Sequence, residues 1–102
     1  MSVAVKKNDD ADEVTIAIEG RFDFSDHKNF RQSYDEGEAT KVKKYVVDLR
    51  GTDYMDSSAL GMLLLLREHA STHDQKVEVV GCSDEIKKIL TLSNFDKMFD
   101  IK

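Results

Sequence analysis

The chain has 102 residues, with 15 Lys and Arg against 20 Asp and Glu, a formal net charge of −5, 40% hydrophobic and 34% charged residues. This length and composition fit one ordinary soluble globular domain, residues 1–102, with a modest core. The acidic balance argues against nucleic acid, which calls for a basic face, and suits a basic protein partner better.

Val3 to Lys7 reads as a first strand, and Asn8 to Asp12, rich in acidic side chains, as a turn. Glu13 to Glu19 alternates, with Val14, Ile16 and Ile18 on one side, and is expected to pair with the first strand as a hairpin. Gly20 to Phe24 closes that unit. Ser25 is the expected N-cap of a helix that places His27, Phe30 and Tyr34 near one face, with Gly37 as its stop.

Lys41, Lys43 and Lys44 lead, as a solvated approach, into Tyr45 to Leu49, an apolar run suited to a strand buried on both faces. Arg50 to Asp56 reads as an acidic loop, and Ser57 opens a second helix through about His69. Met62 to Leu66 is apolar almost all round, the mark of a buried helix, with Met62 or Leu65 as candidates to stay exposed as a partner contact. Val77 to Val80 is a further strand ended by Gly81, and Cys82 is expected to be a small buried residue at its end. Ser83 caps a third helix carrying Ile86, Ile89 and Leu90 on one stripe, and Phe99 and Ile101 form a last short strand.

This order predicts an α/β sheet whose later strands are parallel and covered by helices. A single cysteine leaves no internal disulfide and no cysteine-rich zinc site. Neither a leader-like stretch nor a membrane-length apolar run is evident, so the expected location is the cytoplasm.

The stretch Val46 to Gly61 carries most of the functional information. It brings a buried strand out into an acidic loop and then to a helix N-terminus, whose first amides lack internal partners and favour a hydroxyl, carboxylate or phosphate. On local chemistry, plain capping and a regulatory serine both remain open for Asp56-Ser57-Ser58.

The wider pattern resembles the STAS family, named for sulfate transporters and anti-sigma-factor antagonists. Met55-Asp56-Ser57-Ser58-Ala59-Leu60-Gly61 is similar to the family's Met-Asp-Ser-Ser block, and Gly20-Arg21-Phe22-Asp23 to its Gly-x-Leu-Asp block. The resemblance implies a STAS fold: a mixed four- to five-stranded sheet covered by about three helices, with the C-terminal helix short or absent. Ala59 stands where glycine is common in the family.

By this resemblance Ser57 is the phosphorylated residue and Ser58 the second choice. Asp23, Asp53, Asp56, Ser58, Ala59 and Met62 form the switch region and partner surface. The implied partners are a GHKL-type serine kinase acting as anti-sigma factor and a PP2C-type serine phosphatase, with a homodimer also in view. The unphosphorylated form would bind the kinase, and phosphorylation would release it. The output could be a sigma factor, biofilm, motility or another regulator. An alternative is an accessory subunit of a lipid-transport ABC transporter that acts without phosphorylation.

An enzyme is not expected. No G-x-S-x-G turn surrounds Ser57, and His27, His69 and His73 are not placed beside it by the sequence. His69 and His73 lack an obvious third metal ligand, and there is no glycine-rich phosphate loop, so neither a metal nor a cofactor is expected.

Overall fold

The computed structural model describes residues 3–8, 12–35 and 42–102. Residues 9–11 of the expected turn, Gly37 as helix stop and Lys41 lie outside the described residues. The elements run β1 (Val3–Asn8), β2 (Glu13–Ile18), β3 (Gly20–Phe22), α1 (His27–Asp35), β4 (Lys44–Asp48), β5 (Thr52–Met55), α2 (Ser57–Thr72), β6 (Lys76–Val80), α3 (Asp84–Leu92) and β7 (Asp100–Ile101).

The five-stranded sheet has the order β1-β2-β4-β6-β7. β1 is antiparallel to β2, as the hairpin reading expects, and each later pair is parallel. Register follows burial. Val14, Ile16 and Ile18 of β2 are buried, and the parallel pairing sets Val14 beside Tyr45 and Ile16 beside Val47, which in turn adjoins Val79. A slip of one residue would turn this apolar row away from the helices.

The helices close over that row. Phe30 and Tyr34 of α1, Ala59, Met62, Leu63, Leu66 and Ala70 of α2, and Ile86 and Leu90 of α3 join one apolar cluster with it. Each large aliphatic side chain buried this way contributes about 1.5–3 kcal/mol. Tyr45, Val46, Val47 and Leu49 are all buried, in keeping with the doubly buried strand expected there. Ser83 caps α3 by accepting the Ile86 N–H at 3.2 Å, and Asp100–Ile101 adds the short last strand beside β6. Cys82 is half-buried just beyond β6, and that burial pushes its thiol pKa up.

Three expectations need correction. Arg50 to Asp56 is not loop throughout: Thr52–Met55 is β5, which pairs in parallel with β3 to make a second, two-stranded sheet. Its anchors are the Gly20 N–H donated to Gly51 O at 2.9 Å and the Thr52 hydroxyl donated to Ile18 O at 2.7 Å. Ser25 is not the cap of the first helix; Asp23 caps a 3-10 turn, Phe24–Asp26, that feeds directly into α1. Met62 is not exposed. It lies on the core side of α2 with 3% of its surface accessible, because α2 packs one face onto the sheet and 62 shares that face with 59, 63 and 66.

Candidate functional site

The β3–β5 ribbon builds the site. Its register sets Arg21 beside Tyr54 and Phe22 beside Met55. Phe22 and Met55 are buried and hold the ribbon to the core, whereas Arg21 and Tyr54 are exposed. Asp23 and Asp56 follow at equivalent positions as the two strands end, and each opens a helical segment.

Asp23 adopts extended backbone, and its Oδ1 accepts the Ser25 N–H at 3.0 Å and the Ser25 hydroxyl. Asp26 Oδ2 accepts the Asp23 N–H at 3.2 Å, which completes a reciprocal capping box. The two bonds from Ser25, hydroxyl first, and then the nearby Arg21 charge hold the Asp23 carboxyl below the usual carboxylate range. Arg21 Nε lies 3.5 Å from Asp23 Oδ2, and its guanidinium sits 4.6 Å from the centre of the Tyr54 ring.

Asp56 is the N-cap of α2. Its backbone is extended and its Oδ1 accepts the Ala59 N–H at 3.0 Å, while Asp56 O accepts the Leu60 N–H at 3.2 Å. Ser57 is therefore the first helical residue, with its side chain in solvent; Ser58 is half-exposed and second. The amides of both precede the first intrahelical bond and lie at the positive end of the helix dipole. Asp53 is exposed on β5. Ala59, by contrast, is fully buried, so it and Met62 underpin this surface without forming part of it.

The surface has apolar members that sequence reasoning missed. Phe24 is 68% exposed and stacks on His27, and Tyr54 is 44% exposed. The Phe-Asp-Phe run at Phe22 to Phe24 hid this: two residues apart on a continued strand, both aromatics would face the core, but the 3-10 turn that starts at Phe24 turns it outward. On α2 beyond Ser57, Leu65 is exposed, as one of the two residues expected from sequence to remain so, and the unanticipated Leu64 is exposed with it. Gly61 lies between them and the helix start, and a Cβ built there would meet nothing within 4 Å, so the helix carries an open notch at that point.

The histidines near the end of α2 stand apart from Ser57. His69 and His73 stack with ring centres 4.3 Å apart, and His69 also packs 4.9 Å from Tyr34. His69 is twelve residues along the helix from Ser57, about 18 Å at 1.5 Å per residue, which is too far for a nucleophile and its base.

The family model described as "Mlab, STAS domain" matches residues 5–100. The chain belongs to the STAS domain family. A STAS-domain containing protein of Pseudomonas aeruginosa (strain UCBPP-PA14) is 48% identical over 101 residues, which is 99% of each chain. The fold is similar to that of a Thermotoga maritima protein assigned as a candidate anti-sigma factor antagonist: TM-score 0.83, 20% identity, with 97% of this chain and 84% of that one covered. It is also similar to the anti-sigma factor antagonist SpoIIAA in its unphosphorylated form, with TM-score 0.76, 14% identity, and 99% of this chain and 87% of that one covered. The phosphorylated form of SpoIIAA, from Bacillus, superposes equally well, at TM-score 0.76, 15% identity, and 99% and 91% coverage. No helix among the described residues is long and apolar enough to cross a membrane.

Proposed function

We propose that this STAS domain is a partner switch controlled by phosphorylation of Ser57. One observation carries the reading: Ser57 sits in solvent at the first position of α2, while Asp56, the residue before it, commits its carboxylate to the Ala59 amide. Capping is thus supplied by Asp56, and the Ser57 hydroxyl is left for a transferring enzyme.

Unmodified, the surface offers a neutral hydroxyl, an acidic rim of Asp23, Asp53 and Asp56, and exposed apolar side chains. These features suit a kinase partner with a basic, apolar face, of the GHKL type that doubles as an anti-sigma factor. The kinase moves the γ-phosphoryl group of a nucleoside triphosphate to Ser57 Oγ, which gives up its proton, and leaves the diphosphate. A PP2C-type phosphatase hydrolyses the ester, returning the serine and inorganic phosphate.

The phosphate adds about −1.5 to −2 charges at neutral pH. The partner surface shaped for serine then meets a bulky anion among carboxylates, and a loss of ~3 kcal/mol weakens binding more than a hundredfold. No refolding is required. That SpoIIAA has the same fold in both forms supports this economy.

Intact and peptide mass spectrometry of the protein from its native cells, with Ser57→Ala as control, tests the reading. A phosphate on Ser57 that is absent from the control is the expected result. Unmodified Ser57 under every growth condition, including after deletion of the phosphatase, overturns it. The second reading, an accessory subunit of a transporter ATPase, is supported by the likeness of the fold to a sulfate transporter family protein from Wolinella succinogenes (TM-score 0.78, 20% identity, 90% of this chain and 75% of that one), and would use Leu64 and Leu65 without any phosphate.

A further inference from the structure

We infer that Arg21 is the phosphate-binding residue of the modified state: when Ser57 carries a phosphate, the Arg21 guanidinium leaves Asp23 and the Tyr54 ring and pairs with the phosphate oxygens. The inference rests on the reading of Ser57 as the modified residue and goes beyond it by assigning the group that answers the new charge.

Arg21 is placed and held as such a residue should be. Residues 21 and 54 are register partners, and Phe22 and Met55 turn inward, so alternation puts Arg21, Tyr54, Asp23 and Asp56 on one outer face of the ribbon. Ser57 begins three residues beyond Tyr54, about 10 Å along the strand direction at ~3.3 Å per residue. A long arginine side chain and a phosphoseryl arm close such a gap from both ends.

The present hold on Arg21 is slight. Its contact with Asp23 is Nε to Oδ2 at 3.5 Å, longer than a good charge-assisted bond, and the Arg21 side chain is 69% exposed. Stacking over an exposed tyrosine adds little to that hold. Asp23 Oδ1 keeps its two bonds from Ser25 whether or not Arg21 stays, and Oδ2, the oxygen that Arg21 approaches, belongs to a side chain 26% exposed to water.

A phosphate dianion offers more: several oxygens matched to the planar guanidinium fork, and a larger charge than Asp23 alone. The consequence reaches past Ser57. Movement of Arg21 bares the outer face of the Tyr54 ring and returns a full negative charge to Asp23, so one modification changes three positions of the partner surface while the fold stays fixed.

The test uses the full chain with phosphoserine installed at position 57 during translation, and follows the phosphate by phosphorus-31 NMR titration. The second pKa of phosphoserine, ordinarily about 6, is expected to be lower in the protein with Arg21 than in Arg21→Gln by about half a unit or more. Arg21→Lys should fall between them, and Arg67→Gln, a charge removed farther along α2, should match the Arg21 protein. The Tyr54 ring resonances should shift on phosphorylation with Arg21 present and not in Arg21→Gln. Superimposable titrations for Arg21 and Arg21→Gln, or an equal change in Arg67→Gln, overturn the inference. Because phosphoserine is supplied directly, the measurement reports on Arg21 even where mass spectrometry of native cells finds Ser57 unmodified, so the two failures are distinguishable.

Discussion

Asp56 reaches over Ser57 and Ser58 to accept the Ala59 N–H, at 3.0 Å from its Oδ1. This bond separates two tasks that the sequence Asp-Ser-Ser leaves merged, since any of the three is a good cap. Asp56→Ala should therefore destabilise the fold by about 1 kcal/mol, with Asp56→Asn close to wild type because asparagine caps equally well. Thermal denaturation checks it: the alanine variant should melt about 4–8 °C lower. Ser57→Ala should melt within the error of wild type. A Ser57→Ala variant that is as unstable as Asp56→Ala would return the capping role to Ser57.

Asp23 supplies the pH dependence of the site. Its carboxyl is held below its ordinary range, chiefly by the Ser25 hydroxyl and then by the Ser25 amide. A carboxylate whose folded pKa is lowered contributes stability that is present above its unfolded pKa, near 3.9, and lost as pH falls through the lower folded value. Ser25→Ala removes the largest cause and should raise the Asp23 pKa toward ordinary, leaving the smaller effects of the Ser25 amide and Arg21. NMR titration of the Asp23 side-chain carboxyl reads this directly. An unchanged midpoint in Ser25→Ala would mean that the hydroxyl bond is not formed in solution.

The hairpin, the buried strand at Tyr45 to Leu49, the Ser83 cap and the STAS resemblance were all legible because each is local: alternation, an apolar run, a hydroxyl before a helix, and two motif blocks. β5 was not legible. Its four residues are buried only at Thr52 and Met55, a pattern without period 2, because the pairing shifts register between Gly20 and Arg21 and passes over Asp53. The choice of Asp23 over Ser25 as cap is local, and Asp23 and Asp26 at capping-box spacing carried a signal for it beside the serine's own capping preference. Met62 was misplaced because α2 is apolar on nearly all sides, and such a helix does not announce its inner face. Arg21 was overlooked because its role depends on the β3–β5 register, which nothing in the chain order reveals.

Two glycines should respond in opposite directions. Gly61 is helical, and a Cβ there meets nothing within 4 Å, so Gly61→Ala should stabilise the protein by about 1 kcal/mol through helix propensity alone. Gly81 has φ of +74°, and a Cβ there would come within 3.0 Å of Arg50 Cβ and 3.1 Å of its backbone. Gly81→Ala carries both the left-handed penalty and a clash with main chain, so it should destabilise by more than the ~1 kcal/mol typical of a conformational mismatch alone. Urea titrations of both variants decide the matter; a Gly81→Ala as stable as wild type would show that the turn after β6 adjusts freely.

Leu63 and Leu65 lie two residues apart on α2, yet Leu63 has no accessible surface while Leu65 is 48% exposed. Leu63→Ala should cost about 2–5 kcal/mol, since it empties volume where α2 meets the sheet. Leu65→Asp should leave stability within about 0.5 kcal/mol of wild type, as surface changes usually do. Its effect should fall on binding instead. Leu65 lies eight residues beyond Ser57, about 12 Å along α2 at 1.5 Å per residue, within the span of a partner surface that covers that serine. Urea unfolding gives the first comparison, with equal slopes marking an intact fold. Affinity for the kinase that phosphorylates Ser57 gives the second, and Leu65→Asp should bind at least tenfold more weakly, about 1.4 kcal/mol. Wild-type affinity in Leu65→Asp would confine the partner surface to the ribbon and the first turn of α2, and would leave the exposed leucines to some other contact.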